Sequence, residues 1–409
     1  MGNAPCRGRG EAWQGATVLE RVALFLPGGK IMRGSIAWAR GLILALGDPA
    51  GVLGIAGHGA RRMTLDGALV LPGLWDCHTH MLSGAMEKAQ VQLGCARDSR
   101  EFQEAILRWC EQNPDEPWIV GAGWNDALWG GEPPSKEWVD ALGRGRPMFL
   151  LRYDMHSGLA NSAALELAGI DSRTQDPPGG RIVRDPATGQ PTGRLLERAM
   201  ELVTRCIPPP SLPGKAKLLS KALERAVELG LTSLQDLVWD IEDLKVHREV
   251  FSRDGCRPRV FLRTPIQQLA EYLEARRDPW PSGMVLQGVK GFLDGSLGSR
   301  SAWLREPYLD SPNDRGVSWI SDPREFSGMV MMAAREEVGV SLHAIGDVAI
   351  GMALGMYWEC IERGLGHAPL RIEHFQHPSP EDIERMDHPR LVASMQPLHM
   401  RFDAAATEE

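Results

Sequence analysis

Residues 71–82 read LPGLWDCHTHML, with His78 and His80 one residue apart at the end of an apolar run. Alternate side chains on a strand share a face, about 6.6–6.8 Å apart along the chain. Both imidazoles can therefore converge on one ion at about 2.0–2.1 Å. In isolation, a chance pair at a strand end has the same appearance. His343 and His374 change that reading, because each falls at the C-terminal end of another candidate strand, GVSLHAIGD (339–347) and LRIEHFQH (370–377). Barrel enzymes assemble their sites from such ends, taking a residue or two from each of several strands. Ile372, His374 and Gln376 share one face, and His377 lies beyond in HPSP, which favours His374 as the ligand. His58, His247, His367 and His388 are read as surface or loop residues.

Lys290 interrupts the short strand GVKGFLDG (288–295). Inside a barrel, burial disfavours the ammonium and lowers its pKa. The neutral amine can then add carbon dioxide to become a carbamate, an anion able to bridge two cations. The alternatives are a lysine that snorkels to solvent or one that pairs with Asp294.

The elements that must position these groups follow from patterning. Residues 17–66 alternate apolar stretches with turns at Gly28-Gly29 and Arg40-Gly41, the signature of a small antiparallel β-unit. ALVLPGLWD (68–76) is a continuous apolar run of the kind a strand buried on both faces shows. Similar runs recur at LTSLQDL (231–237), RVFLRT (259–264), GVKGFLDG, GVSLHAIGD, LRIEHFQH and RLVASMQP (390–397). Helical patterns lie between several of them, clearest at 215–230 and 323–338. Strand and helix in alternation imply parallel βα units. Residues 95–214 break the alternation and end in the proline-rich IPPPSLPG, which suits a cover over an active site. The expected division is a β-unit over 1–67 and a barrel over 68–409 that carries this insertion.

The chain has 409 residues, 43% hydrophobic and 24% charged, with a net charge of −8. That balance argues against a general nucleic-acid binder and suits a soluble protein that handles small molecules. Seven scattered cysteines, without a CxxC, suggest reduced thiols in the cytoplasm. MGNAPCRGRGEAW lacks the apolar core of a signal peptide, and no apolar run is long enough to cross a bilayer.

The metal-type motif LPGLWDCHTHML is accompanied, in order, by GAGWND, RYDMHSGLANSAAL, PGGRIVRDPATGQPTGRLLE, VKGFLDGSLGSRSAWL, HAIGD, RIEHFQH and ASMQPLH. Together these resemble the amidohydrolase superfamily, and within it amidohydrolase family 3, the branch that contains N-substituted formamide deformylases. The resemblance covers nearly the whole chain from about residue 17. It implies an α/β fold, a distorted TIM-like (β/α)₈ barrel with a small N-terminal β-sandwich part, and one or two divalent metal ions, commonly zinc. By matching motifs, His78 and His80 would bind one metal, His343 and His374 the second, and Lys290, as its carbamate, would bridge them. Trp124, Asp154, His156, Arg300 and His399 fall in stretches that would face the substrate. Each also has an ordinary structural alternative: core for Trp124, a loop cap for Asp154, a surface ion pair for Arg300, solvent for His399.

The resemblance further implies an aspartate from an eighth strand, in a Gly-Ser-Asp or Gly-Thr-Asp run, as general base. No such run follows LHMRFDAAATEE, and Asp403 comes directly after the seventh-strand segment. A barrel without that strand is expected to expose the edges of its first and seventh strands. Loss of the proton acceptor typically costs ~10²–10⁴-fold in rate. The expected activity is metal-dependent hydrolysis of a non-peptide carbon–nitrogen bond in an amide-like small molecule. A rival expectation is a truncated or remnant barrel that binds metal or a small molecule without turnover. A third is an isomerase or deaminase on the same scaffold. The expected partners are a small-molecule substrate and a second copy of the chain, with no nucleic acid and no membrane.

Overall fold

The structure, a computed structural model, describes Trp13 and residues 15–408. Cys6 and the segment read for a leader lie outside the described residues. The chain divides into two compact units, one ending at Leu74 and one beginning at Trp75. Among the described residues, no helix is long and apolar enough to cross a membrane. The six described cysteines are all free.

In the first unit, β1 (Thr17–Leu26), β2 (Lys30–Ala39) and β3 (Leu42–Gly47) form an antiparallel meander. Its turns fall where the glycines predict: Gly28 and Gly29 have φ of 80° and 77°, and Arg40 and Gly41 have 51° and 76°. A helix, Pro49–Ala56, comes next, capped by the Asp48 carboxylate on Ala50 N and Gly51 N. It returns the chain to β4 (Arg61–Thr64) and β5 (Leu69–Val70), which both join β1 in parallel. Among the described residues the unit is one sheet with one helix.

The run ALVLPGLWD is not one strand. It divides at Leu71-Pro72-Gly73, giving β5 to the first sheet and opening β6 (Leu74–Thr79) beyond. Pro72 supplies no N–H for a continuous ladder. β6 is also far from doubly buried: it ends its sheet, and Leu74 and Trp75 are half exposed.

The expected insertion builds its own sheet. It starts at β7 (Val91–Gln92) and continues through β8 (Ile119–Trp124), β9 (Met148–Arg152), β10 (Ser157–Ala160), β11 (Gly180–Arg184) and β12 (Pro191–Glu197), in the order β11-β12-β10-β9-β8-β7. The pairing is parallel from β7 to β9 and antiparallel from β9 to β11.

The remaining strands are β13 (Leu231–Leu237), β14 (Arg259–Pro265), β15 (Met284–Phe292), β16 (Gly339–Ala344), β17 (Leu370–His374) and β18 (Leu391–Ser394). With β6 they form a curled seven-stranded sheet, order β18-β17-β16-β15-β14-β13-β6, and β13 to β18 pair in parallel. β6 and β18 are its two ends, a TIM-like α/β arrangement. Helices cover the outside. Leu212–Glu228 starts behind Ser211, whose hydroxyl caps Gly214 N, and Pro323–Arg335 starts behind Asp322, which caps Arg324 N and Glu325 N. Val289, Leu342 and Ile372 from the sheet bury completely against Val330, Leu354 and Tyr357 from the helices. Each such side chain contributes about 1.5–3 kcal/mol by leaving water.

His247 departs from the sequence reading as a surface or loop residue. It is fully buried on the helix Leu244–Phe251, an amphipathic element that turns Leu244, Val246, His247 and Val250 inward. Its Nδ1 lies 2.9 Å from Asp243 O and its Nε2 2.8 Å from Asp236 Oδ2. Both partners are acceptors, so the ring donates from both nitrogens and carries a proton. Burial opposes that charge, but the bonds to Asp236 and Asp243 outweigh it and raise the pKa. A raised folded value gives stability that is complete below about 6.5 and is lost as pH rises through the folded pKa. His247→Ala is expected to lower the unfolding free energy by ~3 kcal/mol in mildly acidic buffer, with the penalty shrinking under alkaline conditions. Urea unfolding of both proteins across pH reads this directly. A penalty that does not change with pH removes the charged pair.

Candidate metal centre

Four histidines reach one cavity from three strand ends. His78 is the penultimate residue of β6, and His80 comes just after the strand, at the start of the helix Met81–Ala89. His343 is near the end of β16 and His374 closes β17. Ring centroids are 5.5 Å apart for His78 and His80, and 4.6 Å for both His78–His374 and His343–His374.

Each ring has one nitrogen tied to protein. His78 Nδ1 lies 2.9 Å from Glu373 Oε2, and His80 Nδ1 2.8 Å from Leu237 O. His374 Nδ1 lies 2.6 Å from Gln396 Oε1, and His343 Nε2 2.9 Å from Gly295 O. Such anchoring fixes ring orientation and tautomer and leaves the opposite nitrogen for a ligand. Burial holds His343 down to about 3, helped by Lys290, and His374 down to about 2, helped by His343 and His78. Burial and then His78 also lower His80. Near neutral pH these rings are uncharged, the form that binds metal.

Lys290 sits within β15, 3% exposed, and its Nζ has no hydrogen-bond partner. It neither snorkels nor pairs with Asp294. The Asp294 carboxylate is committed to Trp303 N (2.9 Å), Ile345 N (3.0 Å) and Gly346 N (2.8 Å). Burial brings the Lys290 ammonium down to about 7; Glu373 opposes the shift, and Arg263 and Arg371 add to it. Glu373 itself is buried, which disfavours its charge. The His78 bond and the charges of Lys290 and Arg371 outweigh that and hold its carboxyl well below the usual range.

Among the described residues, no three His, Cys, Asp or Glu side chains are already grouped to hold a metal. The fit to a divalent cation is one of donor chemistry. Four imidazoles converge beside a buried amine that lacks a partner.

Of the residues expected to face substrate, His399 reaches the cavity. Its ring stacks 5.3 Å from His374, and its Nδ1 lies 3.0 Å from Gln376 Oε1. The other four are not among the lining residues. Trp124 is a core residue, fully buried, donating from Nε1 to Leu150 O at 3.1 Å. Asp154 is consumed by Arg152, which also binds Asp126, and by His156 N. His156 is largely exposed beside Glu197, and Arg300 pairs with Asp310. Asp403, on the helix His399–Glu408, accepts from Gln376 Nε2 at 2.5 Å and also lies outside the lining.

Glu373 is the residue that strand alternation hid. An unbroken strand would put Ile372 and His374 on one face and Glu373 on the other. Instead His374 and Phe375 take φ of 76° and 44°. That turns His374 inward beside Glu373, while Ile372 stays in the outer core. The sequence signal was an acidic residue, Glu373, two residues from Arg371 in a short strand that is otherwise Leu, Ile and His. Trp239, Phe292 and Trp319 also line the cavity, whose volume is about 450 Å³, and periodicity gave no sign of them.

A curled parallel sheet with its site at the carboxyl ends of the strands defines the class: a TIM-like α/β protein with a candidate metal centre. Residues 63–408 match the Amidohydrolase family, and the chain belongs to it. It is 37% identical to Protein LONG AFTER FAR-RED 3 of Arabidopsis thaliana over 90% of this chain and 66% of that one. It is 26% identical to N-substituted formamide deformylase of Arthrobacter pascens, over 82% of this chain and 64% of that one. The chain thus spans about two thirds of the length of these curated relatives. A solved structure of an uncharacterized metal-dependent hydrolase from Pyrococcus furiosus matches with a TM-score of 0.78 and 25% identity, covering 95% of this chain and 78% of that one.

The segment that carries Gly295 packs tightly against the turn after β16. A Cβ on Gly346 would meet Trp303 O at 2.0 Å, and one on Gly295 would meet Ser301 Oγ at 2.0 Å. Asp294 ties the two together. Asp294→Ala strands three buried backbone N–H groups and is expected to cost ~3 kcal/mol, with Asp294→Asn intermediate. A loss below ~1 kcal/mol in denaturant unfolding would show that the Asp294 contacts do not hold this turn.

Proposed function

We propose that this chain carries the metal centre of a metal-dependent hydrolase that cleaves carbon–nitrogen bonds in amide-like small molecules. The observation that carries the reading is the convergence of His78, His80, His343 and His374 around the unpartnered, buried Lys290. Membership of the Amidohydrolase family and the printed activity of the Arthrobacter relative support the same chemistry.

In this reading the four histidines hold one or two divalent ions, zinc by default for such a donor set. A divalent ion supplies Lewis-acid polarisation of a carbonyl and makes water acidic near neutral pH. The protein's own groups do the rest. Glu373 fixes the His78 tautomer, and Leu237 O, Gly295 O and Gln396 do the same for the other rings. Lys290, with a pKa of about 7, has a substantial neutral fraction at physiological pH. That neutral amine would add carbon dioxide with loss of one proton, which would place a carbamate anion among the histidines.

The test is metal content per chain by elemental analysis of the 409-residue protein, beside His78→Ala/His80→Ala, followed by assay of amine release from formamides and acetamides. About one to two equivalents are expected, lost in the double variant. Metal-free, folded protein that cannot be loaded with zinc, manganese or cobalt would end the reading. Glu373→Gln, which keeps the shape but removes the charge behind His78, should weaken metal affinity by ~10–100-fold. With ¹³C-bicarbonate, a carbamate carbon signal should appear in the loaded protein and be missing from Lys290→Met.

A further inference from the structure

One wall of the cavity is built from aromatic rings, and it runs from one histidine pair to the other. Trp239 lies two residues past the end of β13, and its indole is nearly parallel to the His80 ring (5.0 Å, 10°) and to Phe292 (5.2 Å, 9°). Trp319 continues the wall, 5.8 Å from Phe292 and parallel within 2° to His343 at 6.5 Å. Phe292 also covers Lys290, its ring 4.9 Å from Nζ. Trp239 and Trp319 are 54% and 55% exposed. Two half-exposed indoles inside a cavity are apolar surface that a ligand would remove from water.

The rest of the lining sets the charge of that ligand. Ser296, Ser299 and Ser301 also line the cavity, and their hydroxyls bond to one another at 2.8 and 2.5 Å. Among the described residues, no Asp, Glu or Arg lines the cavity. A cationic substituent would therefore lose its hydration without finding a carboxylate, and the lining's one amine, Lys290, is covered by the Phe292 ring. A flat, neutral ring meets both conditions, because offset stacking on indole adds to simple burial.

We infer that the cavity selects an uncharged amide whose group next to the scissile bond is a planar aromatic ring, seated on Trp239 and Trp319. The inference rests on the hydrolase reading for the word amide, and on the cavity alone for the ring. The rings start at His80 and end at His343, so an aryl group seated on them lies beside both histidine pairs.

The test compares acetanilide, N-cyclohexylacetamide and 4-acetamidobenzoate as probes. Binding is measured by calorimetry on the metal-loaded full chain, and amine release is followed separately. Acetanilide is expected to bind about tenfold more tightly than the cyclohexyl analogue, and the carboxylate to bind more weakly than acetanilide by a similar factor. Trp239→Leu/Trp319→Leu should bring the two uncharged probes within about twofold of each other, and Trp239→Phe should retain most of the preference. The circular dichroism of each variant must match the parent. Equal binding of the aromatic and cyclohexyl probes, or a preference that survives loss of both indoles, overturns the inference. Hydrolysis of the cyclohexyl amide without aromatic preference would sink the inference and leave the hydrolase reading standing. Indole-dependent aromatic binding with no hydrolysis of any probe would do the reverse.

Discussion

The Glu373 carboxylate meets His78 Nδ1 at 2.9 Å although 295 residues separate them in the chain. It does so because the sheet curls. β6 ends the sheet on one side, and β17 is next to the last strand on the other. Arg371 adds to the closure, with Nη2 3.2 Å from Cys77 O and Nε 3.1 Å from Glu373 Oε1. A flat sheet of this order would hold these groups several strands apart, about 4.8 Å for each intervening step. The first histidine pair faces the second because side chains, rather than backbone ladder, span the gap between β6 and β17.

That closure dictates the electrostatics beneath the site. Glu373 is buried with Arg371, Arg263 and Lys290 around it, and burial brings Arg263 down to about 10. If Lys290 were protonated, the positive groups in this interior would exceed the carboxylate that faces them. A neutral amine lessens the excess, and an anionic carbamate on Lys290 removes it. Gln235 Nε2, Arg263 Nε, Ser341 Oγ and Ser394 Oγ are buried there without partners as well. An interior of this kind is costly as pure scaffold, because apolar packing would be more stable. Its polarity makes sense as the floor of a site that must accept charge.

The sequence made the elements far more legible than the site. β13 matches its apolar run end to end, and both hairpin turns fall on their glycines, because burial and backbone freedom are local properties. The first barrel strand misleads, since an apolar run carries no mark of where Pro72 hands the chain from one sheet to another. His247 misleads for a similar reason. A polar residue on the inner face of a helix looks exposed until its buried acceptor, Asp236, eleven residues earlier on a strand, is in view. The histidine cluster is legible because it recurs at several strand ends. Of the five residues placed by motif resemblance alone, His399 lines the cavity, while Trp124 packs in a core and Asp154, His156 and Arg300 sit in local ion pairs. Their motifs mark a fold position as readily as a contact with substrate.

The distribution of roles along each strand has a physical logic. Lys290, His343 and Glu373 lie within the ladder itself, where neighbouring strands fix the backbone on both sides. Trp239 and Trp319 lie beyond it, in segments that no ladder constrains, and each is half exposed. Groups that must meet one another to within a fraction of an ångström sit where position is overdetermined. Groups that need only present a flat face can sit where it is not, and a substitution there changes the cavity wall without disturbing the His78–Glu373 closure. Lys290, His343 and Glu373 are therefore fixed by the sheet, and the two indoles by segments beyond its strands.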